Sequence, residues 1–261
     1  MLVCSRSKVT SVMALISLED LDGLDEDQLD DDITHNPEPM DEEDSDRLLT
    51  HWQAVGRTHH VSVPPEMTGP IQEMTRNRQQ REPLPYALIS RHEKMGEVRY
   101  EERVYPAGYW ACVSRSEGLY EQSISNGFMN LMRFICKENS SGVYLGMTVP
   151  VLSDVKIASD GVSFLKEVET CFFLPAALQS CPPHSPQSDV AIVHRQPIRI
   201  VASTFYGTTT EETIGRQIGL MWEQVGPDAA LRTDRYIVAV YENPGIPQRR
   251  NELWFLRHHQ S

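Results

Sequence analysis

The feature that most constrains the fold of this chain is an internal duplication at a spacing of 90 residues. Two stretches each carry five apolar residues at positions i, i+4, i+7, i+8 and i+11, which is the spacing of one face of an α-helix. The matching sets are Ile124, Phe128, Leu131, Met132 and Ile135 in the first stretch and Ile214, Ile218, Met221, Trp222 and Val225 in the second. The sequence therefore predicts two equivalent helices.

Strand-like runs on both sides of each helix extend the duplication. Within each leading pair of runs the link is short, Pro106-Ala107-Gly108 in the first half and Gln196-Pro197 in the second, which predicts two tight hairpins. The predicted strands are Glu97–Tyr105, Tyr109–Arg115, Leu145–Val155 and Phe164–Leu174 around the first helix, and Val190–Arg195, Ile198–Phe205, Tyr236–Tyr241 and Leu253–Arg257 around the second. The predicted unit is ββαββ, used twice.

Two such units predict an α+β fold with about eight largely antiparallel strands, two helices and a pseudo-twofold axis. Each unit alone would leave an apolar face of its sheet open to water. We therefore expect the two halves to pack together or to close into a distorted barrel.

The first helix carries more apolar side chains than packing on one sheet requires. Met129, Phe134 and Cys136 lie off its core face. Either this helix is buried on two sides, for example under the N-terminal arm, or part of its face lines an apolar ligand site, where pliable methionine side chains are useful.

Acidic side chains concentrate at the N-terminus. The chain has 261 residues and a formal net charge of −13, and residues 1–50 hold 15 acidic and 3 basic side chains. Such a stretch cannot bury enough apolar surface to offset the ordering of the chain, so we predict a disordered acidic arm over residues 1–50. The remainder is nearly neutral and has no basic stripe for phosphate groups, which argues against direct nucleic-acid binding.

Residues 51–95 are predicted to be a linker between this arm and a domain over residues 96–261. Residues 64–85 contain five prolines and a polar cluster at Arg76–Arg81, a composition typical of linkers. The spacing of Leu48, Leu49, Trp52 and Val55 indicates a short helix, which either packs on the domain or docks a protein partner.

The cysteines and the apolar runs indicate the cellular compartment of the protein. The five cysteines are odd in number and form no Cys-x-x-Cys pair, which argues against a disulfide framework and against a structural zinc site. No apolar run approaches the roughly 20 residues that a membrane span requires. We recognise no secretion signal and expect a cytoplasmic protein.

Sequence motifs for catalysis are not recognisable in this chain. We find no nucleophile–base pair and no phosphate-binding glycine loop, and we therefore do not expect an enzyme. One local pattern has ligand chemistry, because a cysteine before a proline lies in an extended, exposed segment where its thiolate can reach a ferric ion. This pattern is Cys181-Pro182-Pro183-His184, and Cys181 is therefore a candidate iron ligand.

Three segments together resemble the signature segments of the SOUL haem-binding family. They are Tyr100-Glu-Glu-Arg103, Leu145-Gly-Met-Thr-Val-Pro150 and Arg249-Arg-Asn-Glu-Leu-Trp-Phe-Leu256, in the order and spacing of the family. The resemblance covers roughly residues 96–258. It implies a distorted eight-stranded antiparallel β-barrel that is flanked by two helices and built from two pseudo-symmetric halves.

The resemblance also implies non-covalent binding of haem or a related tetrapyrrole, in a buffering or carrier role. The haem-contacting methionine of the family and the base after it correspond to Met132 and Arg133 on the first helix, and Phe128 and Met129 would extend the apolar wall. An arginine at the edge of such a site can form bidentate bonds with a propionate. The alternative is that Phe128 and Met132, which belong to the repeated stripe, simply pack on the sheet.

Two positions differ from the family pattern. Some members have an axial histidine directly after the Tyr-Glu-x-Arg segment, whereas this chain has Val104, which cannot ligate iron. A lysine that precedes the Arg-Arg-Asn-Glu segment in a related member, where it meets a propionate, has no basic counterpart in residues 244–248. Arg249 or Arg250 would then take its place.

A second function is compatible with the same residues. The chain would be a protein-interaction module that keeps the SOUL fold without a tetrapyrrole. It would recruit a protein partner through the acidic arm and the helix around Leu48–Val55.

Overall fold

The computed structural model describes residues 42–160, 163–185, 189–226, 230–243 and 245–258. Four helices lie in this part of the chain: α1 (Glu42–Thr58), α2 (Thr68–Arg76), α3 (Tyr120–Cys136) and α4 (Glu211–Val225). The strands are β1 (Glu82–Pro83), β2 (Ala87–Lys94), β3 (Glu97–Tyr105), β4 (Gly108–Ser116), β5 (Thr148–Val149), β6 (Val151–Ile157), β7 (Phe164–Phe173), β8 (Ala191–Arg195), β9 (Ile198–Tyr206), β10 (Leu231–Val240) and β11 (Arg250–Arg257). No helix among these residues is both long enough and apolar enough to cross a membrane.

Nine of the strands form one antiparallel sheet in the order β2-β3-β9-β11-β10-β6-β7-β4-β8, while β1 and β5 form a separate short parallel pair. The predicted duplication accounts for this order. The first half supplies β3, β4, α3, β6 and β7, and the second half supplies β8, β9, α4, β10 and β11. If each of these eight strands is replaced by its equivalent in the other half, the same order results, read in the opposite direction. The pair of β6 and β10 lies at its centre.

The predicted hairpins are wrong, because β3 does not pair with β4 and β8 does not pair with β9. The first strand of each half instead pairs with the second strand of the other half: β3 with β9, and β8 with β4. A short Pro- and Gly-containing link looks the same in a sequence whether it closes a hairpin or carries the chain across a corner. Since only two residues separate β3 from β4, the two ends of the sheet lie side by side and the sheet is strongly curled.

The predicted closure into an eight-stranded barrel is not confirmed. In the described residues the sheet ends at β2 and β8, and no ladder joins these two edges. The ninth strand, β2, pairs with β3. It therefore occupies the edge of β3 at which a closed eight-stranded barrel would pair β3 with β8. The α+β class and the antiparallel pairing are confirmed.

Residues that alternate along each strand divide the core into an interior and two outer layers. The interior cluster draws on seven strands and includes Tyr105, Trp110, Leu152, Phe173, Ile200, Ile237 and Trp254. One outer layer packs α3 against β4 and β7, and the other packs α4 against β9, β10 and β11. Helix α3 approaches β7 closely because Gly127 has no side chain, and a Cβ at this position would lie 2.8 Å from Thr170 Oγ1.

The segment that its composition assigns to an arm and a linker is different in the structure. Residues 1–41 of the predicted arm lie outside the described residues, and residues 42–50 belong to α1. Residues 51–95 contain the rest of α1, α2, β1 and β2. Two of the five prolines that suggest a linker stand at helix starts, where a missing N–H costs little: Pro65 opens a 3-10 turn and Pro70 lies in the first turn of α2.

Candidate functional site

Four of the predicted ligand-binding residues lie on α3. Met132 is 2% exposed and belongs to the outer layer that contains α3, and Phe128 and Met129 are half-buried against the same layer. Arg133 lies at the edge of this surface, where its Nε donates to Glu138 Oε1 at 2.8 Å. The structure thus brings these four side chains together on one helix, as their spacing predicts.

Helices α1 and α2 cover this surface, and we call residues 42–76 the cover. Its buried side chains are Leu48, Val63, Met67, Ile71 and Met74, all in the same apolar layer as Leu131, Met132 and Ile135 of α3. Helix α3 is therefore buried on two sides, which is one of the two explanations that its wide apolar face suggests.

Polar contacts fix the cover at its margins. Cys136 Sγ donates to the carbonyl oxygen of Pro70 at 3.4 Å, at the end of α3. At the other end, His59 Nδ1 lies 2.7 Å from Ser125 Oγ, and Gln122 Nε2 donates to the carbonyl oxygen of His60. Burial raises the pKa of the Cys136 thiol to about 12, so this thiol is protonated at neutral pH beneath the cover.

Arg249 and Arg250 are the two arginines that could replace the family lysine. Arg250 is the first residue of β11 and Arg249 directly precedes it, and their side chains point to opposite faces. Arg250 Nη2 donates to Glu252 Oε1 at 2.6 Å, and its guanidinium lies over the ring of Tyr241. Arg249 is 4% exposed, and its Nη2 donates to Thr209 Oγ1 at 3.4 Å. Burial lowers the pKa of Arg249 from its ordinary value.

Arg249 is the one of this pair that lies near the cover. Burial lowers the pKa of His59, and the positive charge of the Arg249 guanidinium lowers it further. The loop before Arg249 also contacts α1, since a Cβ on Gly245 would lie 2.7 Å from His51 Nε2. The parts predicted to form the site, α3 and this loop, therefore both contact the cover.

Two of the family-like segments meet in the interior of the sheet rather than at this surface. Arg103 donates to both oxygens of Glu252, at 2.9 and 3.1 Å, and this pair joins β3 to β11 across β9. Tyr241 and Trp254 also donate to Glu252, at 2.7 and 2.8 Å. Burial alone would raise the pKa of Glu101, but hydrogen bonds from Arg103 and Arg91 lower it below its ordinary value. These residues are positioned to hold the fold.

Cys181, the candidate iron ligand, is exposed on the connection between β7 and β8. This connection is tied to the residues after α3, because Ser140 N donates to the carbonyl oxygen of His184 at 2.9 Å. Among the described residues, the cluster of metal-ligating side chains that the structure brings together does not include Cys181.

Sequence comparison gives a consistent set of relatives. A model of the SOUL heme-binding protein family matches residues 81–256. Heme-binding protein 1 of Sus scrofa is 28% identical over 177 residues, which cover 67% of this chain and 93% of that protein. The Mus musculus protein of the same name is 29% identical over 178 residues, 67% of this chain and 93% of that protein. The Xenopus laevis protein is 26% identical over 171 residues, 65% of this chain and 89% of that protein.

The position of the family match separates the cover from the sheet. The matched region begins just before β1 and contains α3, α4 and the nine strands of the sheet, except Arg257 at the end of β11. Helices α1 and α2 lie outside it. The apolar surface of α3 thus belongs to the shared region, whereas the helices that cover it do not.

Proposed function

The chain belongs to the SOUL heme-binding protein family, and from this premise we propose that it binds haem or a related tetrapyrrole without covalent attachment and serves as a buffer or carrier. The observation that supports the proposal most strongly is the family match over residues 81–256. The proposed role is binding without turnover.

The proposed site is the apolar surface of α3. A porphyrin needs apolar contact over its face and cations for its two propionates. Phe128, Met129 and Met132 supply the first requirement, Arg133 supplies a cation at the edge of this surface, and Arg249 is the candidate for the second propionate. Arg250 is committed to Glu252 and is not part of the proposed site.

The cover competes with the ligand for this surface. Opening α2 and the turn before it would expose Met67, Ile71 and Met74, at about 1.5–3 kcal/mol for each side chain, or roughly 5–9 kcal/mol in total. A ligand that binds the uncovered surface must offset this cost before it binds the full chain. The full chain should therefore bind more weakly than the uncovered surface would.

The test is a hemin titration of the full-length protein, followed by the Soret band. We expect saturable binding that Arg133→Ala and Met129→Gln each weaken about tenfold, through loss of a propionate contact and of apolar contact. The matched control is Leu220→Gln on α4, the equivalent helix of the other half, where Leu220 is exposed. The absence of saturable binding at micromolar protein would contradict the proposed function, and equal binding by all four proteins would contradict the site.

The protein-interaction module has less support. Leu48, Leu49 and Trp52, which could dock a partner, pack in the chain's own apolar layer. These contacts support the alternative that the helix packs on the domain.

A further inference from the structure

A second cluster of chemically active side chains lies in the interior of the sheet, at the end that contains β4, β7 and β8. Cys112 on β4 and Cys171 on β7 are directly opposite each other in the strand register, and both thiols are free and buried. Glu169 lies two residues before Cys171 and therefore on the same face of β7. The two Sγ atoms and a Glu169 carboxylate oxygen all lie within 4.8 Å of one another.

A cation already occupies the centre of this cluster. Arg195 Nη2 lies 2.5 Å from Glu169 Oε2, 2.9 Å from Cys171 Sγ and 3.4 Å from Cys112 Sγ. Its guanidinium also lies over the ring of Trp110, at 5.3 Å from the centroid. A positively charged donor thus meets all three potential ligand atoms at once.

We propose that Cys112, Cys171 and Glu169 form a site for a thiophilic divalent metal ion of the zinc or cadmium type, which takes the position of the Arg195 guanidinium. Two sulfur ligands and one carboxylate oxygen suit such an ion. Ligand atoms around tetrahedral zinc are about 3.8 Å apart, given bond lengths of roughly 2.3 Å to sulfur, so a side-chain movement of about 1 Å completes the set.

The charges balance in this exchange. Without metal, the Glu169 carboxylate is neutralised by Arg195. Each thiol that ligates the metal loses its proton, so one divalent ion enters as two protons leave. The ion and its three ligands then carry a net charge of −1, which the displaced Arg195 guanidinium neutralises from the rim of the site. Arg195 can move aside because β8 is an edge strand of the sheet and the Arg195 side chain is 20% exposed.

The geometry favours a metal over a disulfide between the same cysteines. Directly opposite residues on antiparallel strands have Cβ atoms about 4.5–5.5 Å apart. A disulfide requires a separation of roughly 3.5–4.5 Å, so it would draw the two strands together. A metal ion between the two sulfurs needs no such movement.

This site is independent of the proposed tetrapyrrole site. Cys112 and Cys171 belong to the interior cluster, whereas Ala111 and Phe172, their neighbours along the strands, face the layer that contains α3. This cluster cannot be recognised in the sequence, because its residues lie on three strands and have no short motif spacing.

The test is a titration of the full-length protein with Cd²⁺, followed by the ultraviolet charge-transfer band of cadmium thiolates. The parent protein carries Cys4→Ser and Cys181→Ser, so that a thiol outside the described residues and an exposed thiol do not contribute. We expect one equivalent of Cd²⁺ to saturate the band. Cys112→Ser and Cys171→Ser should abolish it, and Cys136→Ser, which removes a buried thiol of α3, should leave it unchanged.

Substitutions of the partly exposed residues Glu169 and Arg195 test the same site if a buried cysteine variant does not fold. Glu169→Gln should weaken Cd²⁺ binding about tenfold through loss of a charged ligand, and Arg195→Gln should strengthen it about tenfold because the competing cation is gone. An ion pair with a purely structural role predicts no gain in the Arg195 variant. A parent without the band, a band that survives both cysteine variants, or loss of both thiols to a disulfide in place of metal binding would each overturn the proposal.

Discussion

The buried carboxylate of Glu252 accepts hydrogen bonds from four different side chains. It is 0% exposed, and Arg103, Tyr241, Trp254 and Arg250 all donate to it. A buried carboxylate is costly unless its charge and its lone pairs are satisfied, and these donors supply both requirements. Because Glu252 and Arg103 lie in two different family-like segments, the resemblance to the family at these positions reflects the stability of the sheet.

We expect Glu252→Gln to lower the free energy of unfolding by about 3 kcal/mol, because it leaves the Arg103 guanidinium buried with a weaker counter-charge. Urea unfolding, followed by circular dichroism, measures this change. The control is Asp234→Asn in the exposed Arg232–Asp234 pair, which should cost no more than about 1 kcal/mol. Equal effects of the two substitutions would show that the interior network does not stabilise the fold.

Elements outside the shared sheet decide how accessible its surfaces are. The cover hides the apolar face of α3 without any contribution to the main sheet, since the described strands of that sheet begin with β2. Helix α2 lies directly against the end of α3, as the contact between Pro70 and Cys136 shows. A ligand on α3 therefore requires α2 to move.

A reversible lock between α2 and α3 tests this requirement. Pro70→Cys places a second thiol beside Cys136, and oxidation should join the two helices. We expect the oxidised protein to bind hemin at least about tenfold more weakly than the reduced protein, because the cover can no longer open. The measurement is a Soret titration of both forms.

The unsubstituted protein after the same oxidation is the control, since it contains every other cysteine. If the locked and reduced forms bind hemin equally, the ligand site lies elsewhere. Tetrapyrrole binding itself would then stand, and only its placement on α3 would be wrong.

At the scale of the whole molecule, neither half of the duplication is complete by itself. Strand β3 pairs with β9 of the second half, and β8 pairs with β4 of the first. The central pair of β6 and β10 also joins the two halves. Each half alone would therefore expose an unpaired first strand and one side of the interior cluster.

Division of the chain between β7 and β8 tests this interdependence. We expect fragments 1–186 and 187–261 to copurify when they are co-expressed and to unfold as one cooperative unit, because all strand pairs between the halves can re-form. Each fragment alone should lack a cooperative thermal transition. Size-exclusion chromatography and circular dichroism provide the measurements, and a stable monomer of either fragment would contradict the expectation.

The sequence predicts what is periodic and misses what depends on contacts between distant segments. Both helices of the duplication and most of the strands follow from apolar spacing, because that spacing reflects the face that each element buries. The exchange of β3 and β8 does not follow, since Pro106 and Ala107 would suit a hairpin equally well. Helix α2 was missed because Pro65 and Pro70 are typical both of linkers and of helix starts.

The candidate sites divide in the same way. The α3 surface could be predicted because its residues share one helix, although nothing in their spacing says that α2 covers them. Cys112, Glu169, Cys171 and Arg195 could not be grouped, because strand pairing alone brings them together. Arg249 and Arg250 are neighbours in the chain, yet the alternation of a strand separates them.

The exchange of first strands gives the single chain the arrangement of a domain-swapped dimer, in which each half lends its first strand to the other. The two halves are nevertheless not equivalent at their surfaces. Helix α3 lies beneath the cover, while the equivalent helix α4 leaves Leu220 exposed to water.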